Sequence, residues 1–364
     1  MLAKVGIVVP TLNRIRKLKR LARCLSRQTF KDFHVYIVDS GSNDGTREEI
    51  FSFPIPCTFV NATLDDWWSA ATNLGIKKAL DDKCELILTI NDDAIVMDNY
   101  LEKFVDLFEK NNLEICGNRI DYSNNPGQVW ALGSYSTFGS PFLFQLKYND
   151  YWFNELPEEI QQSNIIPAMT LCGDGVLIKN NVFEKIGFFD QKNTPQAHGD
   201  SEFTLRAHQH GIQVHVAPHI VLYNDVDNLS ETSPHTRKRS FKGKFKDVFF
   251  SIKSDSYWKP VFFICRKYTK GKFIFSTIIR FFLYRSFLYF FNDIAKFFPS
   301  SDKTNPNSSL LKKILAKWSR NFLKKTAFWV FDLNKYDEET LDHLIHNKRQ
   351  KKVIDNIKKM IEFY

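Results

Sequence analysis

The chain has 364 residues, of which 43% are hydrophobic and 25% are charged, a composition that is typical of globular proteins. Its six cysteines form no CxxC pair and no Cys/His cluster, which argues against a disulfide framework or a structural zinc site and fits a reducing compartment. The net charge of +9 is unevenly distributed, since residues 1–236 carry 21 Lys and Arg against 30 Asp and Glu, and the remainder carries 29 against 11. The first apolar run is too short for a secretory signal, so we expect a cytoplasmic protein.

The first 236 residues predict strands and helices in alternation. Short β-branched runs predict strands at 5–10, 34–40, 85–92, 175–179 and 212–218. Apolar residues at helical spacing predict helices over 12–25, from about 98 to 110, and around 182–186. Asp98 is placed to cap the second of these helices. The alternation predicts an α/β fold with a mostly parallel sheet flanked by helices.

Polar residues follow three of the predicted strands. They are Thr11 and Asn13, Asp39 and Ser40, and Asn91, Asp92 and Asp93. Because ligands bind beyond the carboxyl ends of the strands in such sheets, we expect one site at this edge. The two adjacent acids repel each other, and burying them is costly unless a cation or hydrogen bonds compensate. They predict either a solvated turn or a metal site.

From residue 237 the composition changes. Residues 237–300 contain 15 Lys and Arg, three Asp and Glu, and 15 of the 34 phenylalanines. The most apolar part, 273–291, contains Arg280 and Arg285, which are costly at the centre of a membrane. An amphipathic segment in the interface of an anionic bilayer fits better, and a helical subdomain packed on the front domain is a compatible alternative. We therefore divide the chain into a catalytic domain (1–236), a basic aromatic membrane-associating segment (237–300) and a helical region (301–364).

Five segments carry a family resemblance. In chain order they are VGIVVPTLNR, VYIVDSGSNDGT, LTINDDA, GDGVLIKNNVFEKIGFFD and HGDSEFTLRAHQHG. Together, over roughly residues 4–225, they resemble family 2 of the inverting nucleotide-sugar glycosyltransferases. The segment DDWWSAATNLGIKKAL is similar to the bacterial rhamnosyl- and galactofuranosyl-transferase members of that family.

The resemblance implies the GT-A fold, which is Rossmann-like, followed here by a mainly helical C-terminal extension. It implies a metal-dependent hexosyltransferase that moves a sugar from a UDP- or dTDP-sugar to a hydroxyl of a lipid-linked or polysaccharide acceptor. The expected setting is lipopolysaccharide or capsule biosynthesis, with the protein bound peripherally to the inner face of the bacterial membrane. No nucleic-acid partner is expected.

The resemblance assigns the nucleotide to the first two strand ends. Asp39 is expected to accept the imide N–H of uracil or thymine, with Thr11, Asn13 and Arg14 on the neighbouring loop. Without the resemblance, the residues around Asp39 favour the alternative that it opens a turn rich in Ser, Gly and Asn.

The family's Asp-any-Asp motif matches Asn91, Asp92 and Asp93. Asp93 is the expected ligand of Mg²⁺ or Mn²⁺, which prefer hard oxygen donors, and Asn91 and Asp92 are expected to contact the nucleotide sugar. The Asn at the first position departs from the family pattern and predicts weaker metal affinity.

Asp200 matches the family's catalytic base. A helix is predicted from Asp200 to a point before Gly211, and its N-terminus would keep the carboxylate ionised, as a base that takes the acceptor proton requires. Gly199 stands where the family usually has a preceding acid. Glu202 is expected to hold an acceptor hydroxyl. The structural alternative is that Asp200 caps the helix and Glu202 pairs with Arg206.

Trp67, Trp68 and Asp174 are further candidates for acceptor or sugar binding. Tryptophan faces stack on sugar rings, although two adjacent tryptophans also suit the edge of a core. Asn224 stands where family members often carry a metal-binding His, and we leave His219 out of the metal site.

Two other functions fit parts of the sequence. A metal-dependent nucleotidyltransferase also uses acids on an α/β sheet, but the loop after the first strand lacks the Gly-rich pattern of those enzymes. A non-enzymatic protein that binds nucleic acid through its basic, aromatic tail is the second alternative.

Overall fold

The protein is represented by a computed structural model that describes residues 3–136, 138, 143–225, 241–254, 257–269, 274, 278 and 279. The chain divides into two compact units, one formed by residues 1–136 and 145–232 and the other by residues 137–144 and 233–364. Three predicted features lie outside the described residues: nearly all of 273–291, the helical region 301–364, and a linker that the segment SSDKTNPNSS predicts at 300–309. No described helix has both the length and the apolar character needed to cross a bilayer.

The first unit contains one large mixed sheet. Its strands are β1 (Val5–Thr11), β2 (Phe33–Asp39), β3 (Cys57–Asn61), β4 (Leu86–Thr89), β5 (Ile95–Val96), β6 (Ile115–Tyr122), β7 (Asn125–Ala131), β10 (Ile166–Pro167), β11 (Val176–Lys179) and β12 (Val214–Asn224). Two further strands, β8 (Ser134–Ser136) and β9 (Phe144–Leu146), form a small separate sheet. The main path runs β10-β12-β6-β11-β4-β1-β2-β3, with β5 paired to β12 and β7 to β6.

Most strands of this path point the same way. β3, β2, β1 and β4 are parallel, and so are β6 and β12. The strand predicted at 175–179, which is β11, runs antiparallel to both of its neighbours, β4 and β6. The predicted mostly parallel α/β sheet is therefore confirmed, with β11 as a reversed strand inside it.

Helices flank the sheet. They are α1 (Ile15–Ser26), α2 (Thr46–Ile50), α3 (Trp68–Asp81), α4 (Tyr100–Lys110), α5 (Glu158–Gln162), α6 (Asn180–Ile186) and α7 (Gly199–Gln209), with a 3₁₀ turn at Phe153–Glu155. The expectation that Asp98 caps the second predicted helix is wrong, because α4 begins at Tyr100 after Asn99. The Asp98 carboxylate instead accepts a hydrogen bond from Arg27 Nε at 3.0 Å.

Two apolar cores lie on opposite faces of the sheet, because successive side chains of a strand point to opposite sides. Val5, Ile7 and Val9 of β1 pack in the core that contains the apolar face of α1 and α4. Val8 packs in the other core, together with residues of α3, α6 and α7.

The second unit contributes two described helices, α8 (Phe241–Phe249) and α9 (Trp258–Tyr268). Leu143 packs there against the buried residues Val261 and Cys265 of α9.

Helix α3 approaches the sheet closely at Gly75. A Cβ atom added to Gly75 would lie 2.5 Å from Cγ1 of Val8 and 2.8 Å from Cγ2 of Val38. Only glycine allows this helix to sit so near β1 and β2, and the position of α3 in turn sets the position of Trp68 at its first turn.

Gly75→Ala is expected to lower the free energy of unfolding by about 1–3 kcal/mol, the usual cost of overpacking a core. The effect opposes the gain of about 1 kcal/mol that alanine gives in an unconstrained helix. Urea denaturation measures it, with Asp81→Asn at the exposed end of the same helix as a control expected within about 0.5 kcal/mol of wild type. An unchanged or higher stability of Gly75→Ala would contradict the described packing.

Candidate active site

The carboxyl ends of β1, β2 and β4 bring the predicted nucleotide and metal residues to one edge. Thr11 and Asp39 are register partners at the ends of β1 and β2. Thr11 Oγ1 donates a hydrogen bond to Asp92 Oδ2 at 2.8 Å. The end of β1 therefore lies between Asp39 on one side and the two acids beyond β4 on the other.

Asp39 is held by the loop that follows it. Its carboxylate accepts hydrogen bonds from the backbone N–H of Ser42, at 3.1 and 3.3 Å, and from the Ser42 hydroxyl. Asn13, with a φ of 54°, ties the β1 loop to this loop, because its N–H donates to Ser42 Oγ and its Oδ1 accepts from the N–H of Asn43, both at 2.8 Å. A carboxylate has about four acceptor positions, so this turn geometry is compatible with a further N–H donor on Asp39.

Asp92 and Asp93 are almost fully buried, at 3% and 7% exposure. One nitrogen of the Arg14 guanidinium, Nη1, donates to Asp92 Oδ1 at 3.0 Å and to Asp93 Oδ2 at 3.2 Å. Burial raises the pKa of Asp92 to about 6, as does the charge of Asp93, while Arg14 acts in the opposite direction. The predicted solvated turn is therefore not what the structure shows, because these acids are buried and compensated by a cation.

Helix α1 adds a row of cations that the sequence analysis missed. Lys17 Nζ lies 4.0 Å from Asp93 Oδ2 and 3.4 Å from Asp225 Oδ2. Arg20 Nη2 donates to the Asp93 carbonyl oxygen at 2.8 Å and to Asp225 Oδ2 at 3.1 Å. The spacing of Arg14, Lys17 and Arg20 by three residues places them on one helix face, and this was the available signal.

Asn91 is fixed by a tryptophan. Trp68 Nε1 donates to Asn91 Oδ1 at 3.1 Å, and the Trp68 ring packs edge-on against Phe189 with centroids 5.2 Å apart. Trp68 therefore closes the edge of the core and also positions the acidic strand tip, which is the turn of residues 91–93 after β4. Trp67 precedes α3 and is half-buried.

The segment before β11 crosses the strand tip. Because β11 is antiparallel to β4, its amino end lies beside the carboxyl end of β4, with Val176 opposite Thr89. The N–H of Asn91 donates to Asp174 Oδ1 at 2.8 Å, and Thr89 Oγ1 donates to the Gly173 carbonyl oxygen at 3.1 Å. Asp174 thereby joins the predicted site.

Asp200 reaches the same place through Gly173. The Gly173 N–H donates to Asp200 Oδ2 at 2.9 Å. A Cβ atom added to Gly173 would lie 2.6 Å from Cη2 of Trp68 and 3.3 Å from Cβ of Asp200. The Asn91 side of the acidic strand tip, the Trp68 ring and Asp200 therefore meet around one glycine.

Helix α7 begins at Gly199, after His198. Asp200 is its second residue and not its cap, and Asp200 Oδ1 accepts from the adjacent Ser201 N–H at 2.7 Å. Glu202 is fully buried, and its two oxygens accept from Arg206 Nε and Nη2 at 3.2 and 2.9 Å. The expectation that Glu202 holds an acceptor hydroxyl does not fit this geometry, because the carboxylate is buried in the Arg206 pair.

The donor set fits a divalent ion shared with a phosphate group. Within the described ranges, no three His, Cys, Asp or Glu side chains are grouped as an all-protein metal cage. The oxygens of Asp92 and Asp93 nevertheless converge on one point, which Arg14 Nη1 marks. Mg²⁺ commonly takes one or two protein carboxylates and completes its shell with water and substrate phosphates.

His219, which we left out of the predicted metal site, packs against Phe153, with ring centroids 5.6 Å apart.

Asp174 is a buried acid with a raised pKa. Burial raises the pKa of Asp174 to about 7, and the charge of Asp93 acts in the same direction, against the hydrogen bond from the Asn91 N–H. Because the pKa in the folded protein exceeds the ordinary Asp value of 3.8, the folded state binds the proton more tightly than the unfolded state. The stability that this proton contributes is lost as the pH rises from about 4 to about 7.

Asp174→Asn is expected to remove this loss. The unfolding free energy of the variant relative to wild type should rise between pH 4 and pH 8, by at most about 4 kcal/mol at 1.36 kcal/mol per pKa unit. Urea denaturation over that pH range measures the difference, with the exposed Asp65→Asn as the control. If the unfolding free energy of Asp174→Asn relative to wild type changed with pH no more than that of Asp65→Asn, the burial of an acid at this position would be contradicted.

The sequence matches a known family. Residues 6–187, half of the chain, match the model of glycosyl transferase family 2. The chain is 20% identical over 222 residues to glycosyltransferase AglE of Haloferax volcanii, covering 60% of this chain and 65% of AglE. It is 25% identical over 185 residues to a glycosyltransferase of Haemophilus influenzae, covering 50% of this chain and 55% of that protein. The chain thus spans less than two thirds of the length of these relatives.

Solved structures share the fold. The Staphylococcus aureus protein TarS, residues 1–349 in complex with UDP-GlcNAc, superposes with a TM-score of 0.52 at 15% identity, covering 99% of this chain and 90% of that one. The mannosyltransferase PcManGT from Pyrobaculum calidifontis, in complex with GDP-Man and Mn²⁺, gives 0.50 at 16% identity, covering 90% and 83%. At these identities the likeness concerns the fold alone, and it confirms the predicted GT-A architecture.

Proposed function

The chain belongs to glycosyl transferase family 2, and from this premise we propose that it is an inverting glycosyltransferase. Its donor is a UDP- or dTDP-sugar, and its acceptor is a hydroxyl of a lipid-linked glycan or polysaccharide, as in lipopolysaccharide or capsule synthesis. The observation that most supports the proposal is the meeting of the acidic strand tip and Asp200 around Gly173. We retain the similarity to rhamnosyl- and galactofuranosyl-transferases as a prediction.

The donor would bind along the carboxyl edge of β1, β2 and β4. Asp39 would accept the imide N–H of the base, and Asn13 would hold the two loops that form the base pocket. Thr11 and Arg14 stand between Asp39 and the acids, where the diphosphate would lie. The complexes of the two structural neighbours, TarS with UDP-GlcNAc and PcManGT with GDP-Man, support a nucleotide-sugar donor, and only the first of them holds a UDP-sugar.

The reaction is a single displacement. The acceptor oxygen attacks the anomeric carbon, the bond from that carbon to the diphosphate oxygen breaks, and the diphosphate leaves with the electron pair. Asp200 takes the proton of the attacking hydroxyl. Asp93, with Asp92, would hold a Mg²⁺ or Mn²⁺ ion, and such an ion would supply positive charge to the leaving diphosphate.

The remaining residues would orient the sugar and the acceptor. The Gly173 N–H holds one oxygen of Asp200, and Trp68 fixes Asn91 beside it. Within the described chain, Asp174 Oδ2 is buried and has no hydrogen-bond partner, which suits a contact with a sugar or acceptor hydroxyl. Trp67 would offer a ring face to a sugar.

Asp200→Asn is expected to lower sugar transfer at least about hundredfold, the lower limit for loss of a general base. The amide keeps the size of the side chain but cannot take the proton. A panel of UDP-, dTDP- and GDP-sugars, with and without Mn²⁺, measures transfer to a membrane extract.

The exposed Asp65→Asn removes a charge elsewhere in the first unit and is expected to retain full activity. If Asp200→Asn transferred sugar at the rate of this control, Asp200 would not be the base. Absence of transfer from every donor by the wild-type protein would contradict the proposed function itself.

We also propose that the second unit binds the cytoplasmic face of an anionic membrane, where a lipid-linked acceptor would lie. Phe249 and Phe250 are exposed, at 42% and 70%, and so is Phe262 at 40%. The described cations near them are exposed as well, namely Lys246, Lys253, Lys259, Arg266 and Lys267. Aromatic side chains that enter the interface beside cations are typical of peripheral membrane binding.

The double variant Phe249→Ser/Phe250→Ser is expected to weaken binding to anionic vesicles at least about tenfold, because burying each ring contributes roughly 1.5–3 kcal/mol. Cosedimentation of the full-length protein measures the binding. Phe51→Ser, which removes an exposed phenylalanine of the first unit (77% exposed), is the matched control. Equal binding by both variants would remove the support for this surface.

A further inference from the structure

One guanidinium nitrogen occupies the point on which the two buried acids converge. Arg14 Nη1 lies 3.0 Å from Asp92 Oδ1 and 3.2 Å from Asp93 Oδ2. The Arg14 side chain is 40% exposed, whereas those of Asp92 and Asp93 are 4% and 9% exposed. The arginine therefore lies on the solvent side of the carboxylates and bridges them as a bound cation would.

The chain holds Arg14 in this place from two sides. Arg14 immediately precedes α1, and the first N–H of that helix, from Ile15, donates to Asp44 Oδ2 at 3.0 Å. Further along α1, Arg20 donates to the carbonyl oxygen of Asp93 at 2.8 Å. The first contact fixes the start of α1 to the loop after β2, and the second fixes the helix to the acids after β4. The reach of Arg14 to the acids is therefore built into the fold.

A divalent ion and the Arg14 guanidinium cannot use these oxygens together. Mg²⁺ binds carboxylate oxygens at about 2.0–2.1 Å, whereas Nη1 lies 3.0 and 3.2 Å from the same two oxygens, so an ion held by both oxygens would overlap the guanidinium. The nearby charge makes the competition stronger, because Lys17 and Arg20 already neutralise Asp93 and Asp225. In the absence of a nucleotide, an incoming cation meets three acids that three basic side chains already balance.

We propose that Arg14 is an internal counter-ion that fills the metal position of the nucleotide-free protein and is released by the diphosphate of the donor. The proposal rests on the proposed function for the identity of that diphosphate. A diphosphate offers the guanidinium bidentate oxygen acceptors, and the vacated carboxylates then accept the divalent ion. Metal and nucleotide consequently bind with positive coupling, and by reciprocity each raises the affinity for the other.

Mn²⁺ binding without nucleotide tests the first half of the proposal. The electron paramagnetic resonance signal of free Mn²⁺ is followed during titration into the full-length wild-type protein, Arg14→Gln and Arg16→Gln. Arg16 is exposed on the same helix, so its variant removes an equal charge. Arg14→Gln is expected to bind Mn²⁺ at least tenfold more tightly than wild type, and Arg16→Gln to match wild type. Equal affinities in Arg14→Gln and Arg16→Gln would overturn the proposal.

Arg14→Lys keeps the test decisive if the neutral variant folds poorly, which a circular dichroism melt reveals. Lysine retains the charge but lacks the planar fork of arginine. The Mn²⁺ affinity of Arg14→Lys is expected to exceed that of wild type. If Arg14→Gln folds, the affinity of Arg14→Lys is expected to lie below that of Arg14→Gln. An affinity for Arg14→Lys equal to that of wild type, with Arg14→Gln unfolded, would overturn the proposal.

Repeating the titrations with UDP and with dTDP tests the coupling. Wild-type affinity for Mn²⁺ is expected to rise at least tenfold with one of these nucleotides, and that of Arg14→Gln to rise less. If neither nucleotide changes the wild-type affinity while the nucleotide-free difference persists, the proposed donor class fails and the counter-ion role of Arg14 stands. If the nucleotide raises both affinities equally, release of Arg14 by the diphosphate is overturned.

Discussion

Two neighbouring carboxylates beyond a buried strand require positive charge, and most features of the site follow from this requirement. Asp92 and Asp93 are almost fully removed from solvent, and ions buried in this way are retained only when they are paired. Arg14 and Lys17 of the α1 region supply the partners. The helix after β1 is therefore not only a cover for the sheet but also the source of the charge that allows β4 to end in acids.

The reversed strand β11 brings the second half of the site to this edge. A parallel strand between β4 and β6 would end beside Asn91, and its preceding segment would lie at the far edge of the sheet. Because β11 is antiparallel, Gly173 and Asp174 arrive next to Asn91 instead. Gly173 then joins Asp200, the proposed proton acceptor, to the segment that contacts Asn91, through one backbone hydrogen bond.

The sequence indicated the parts of this arrangement that depend on local pattern. The β-branched runs located β1, β2 and β4, and the polar residues after them located the edge where Thr11 and Asp39 meet. Strand direction was not predictable, because a short apolar run such as 175–179 has the same pattern in either direction. The contact of Arg20 with Asp225 joins residues 205 positions apart, and no local signal marks Asp225. For Glu202, helical spacing correctly indicated the pair with Arg206, whereas the expected role in acceptor binding did not account for its burial.

A crystal structure of the full-length protein with UDP and Mn²⁺, and a second with dTDP and Mn²⁺, tests the central claim most directly. The account predicts, in at least one of them, a base beside Asp39, a diphosphate near Arg14, and Mn²⁺ on Asp93 at the position that Arg14 Nη1 occupies here. Asp200 should face the open side of the same cleft. Nucleotide density in a different part of the protein, with Arg14 still bridging Asp92 and Asp93, would contradict it.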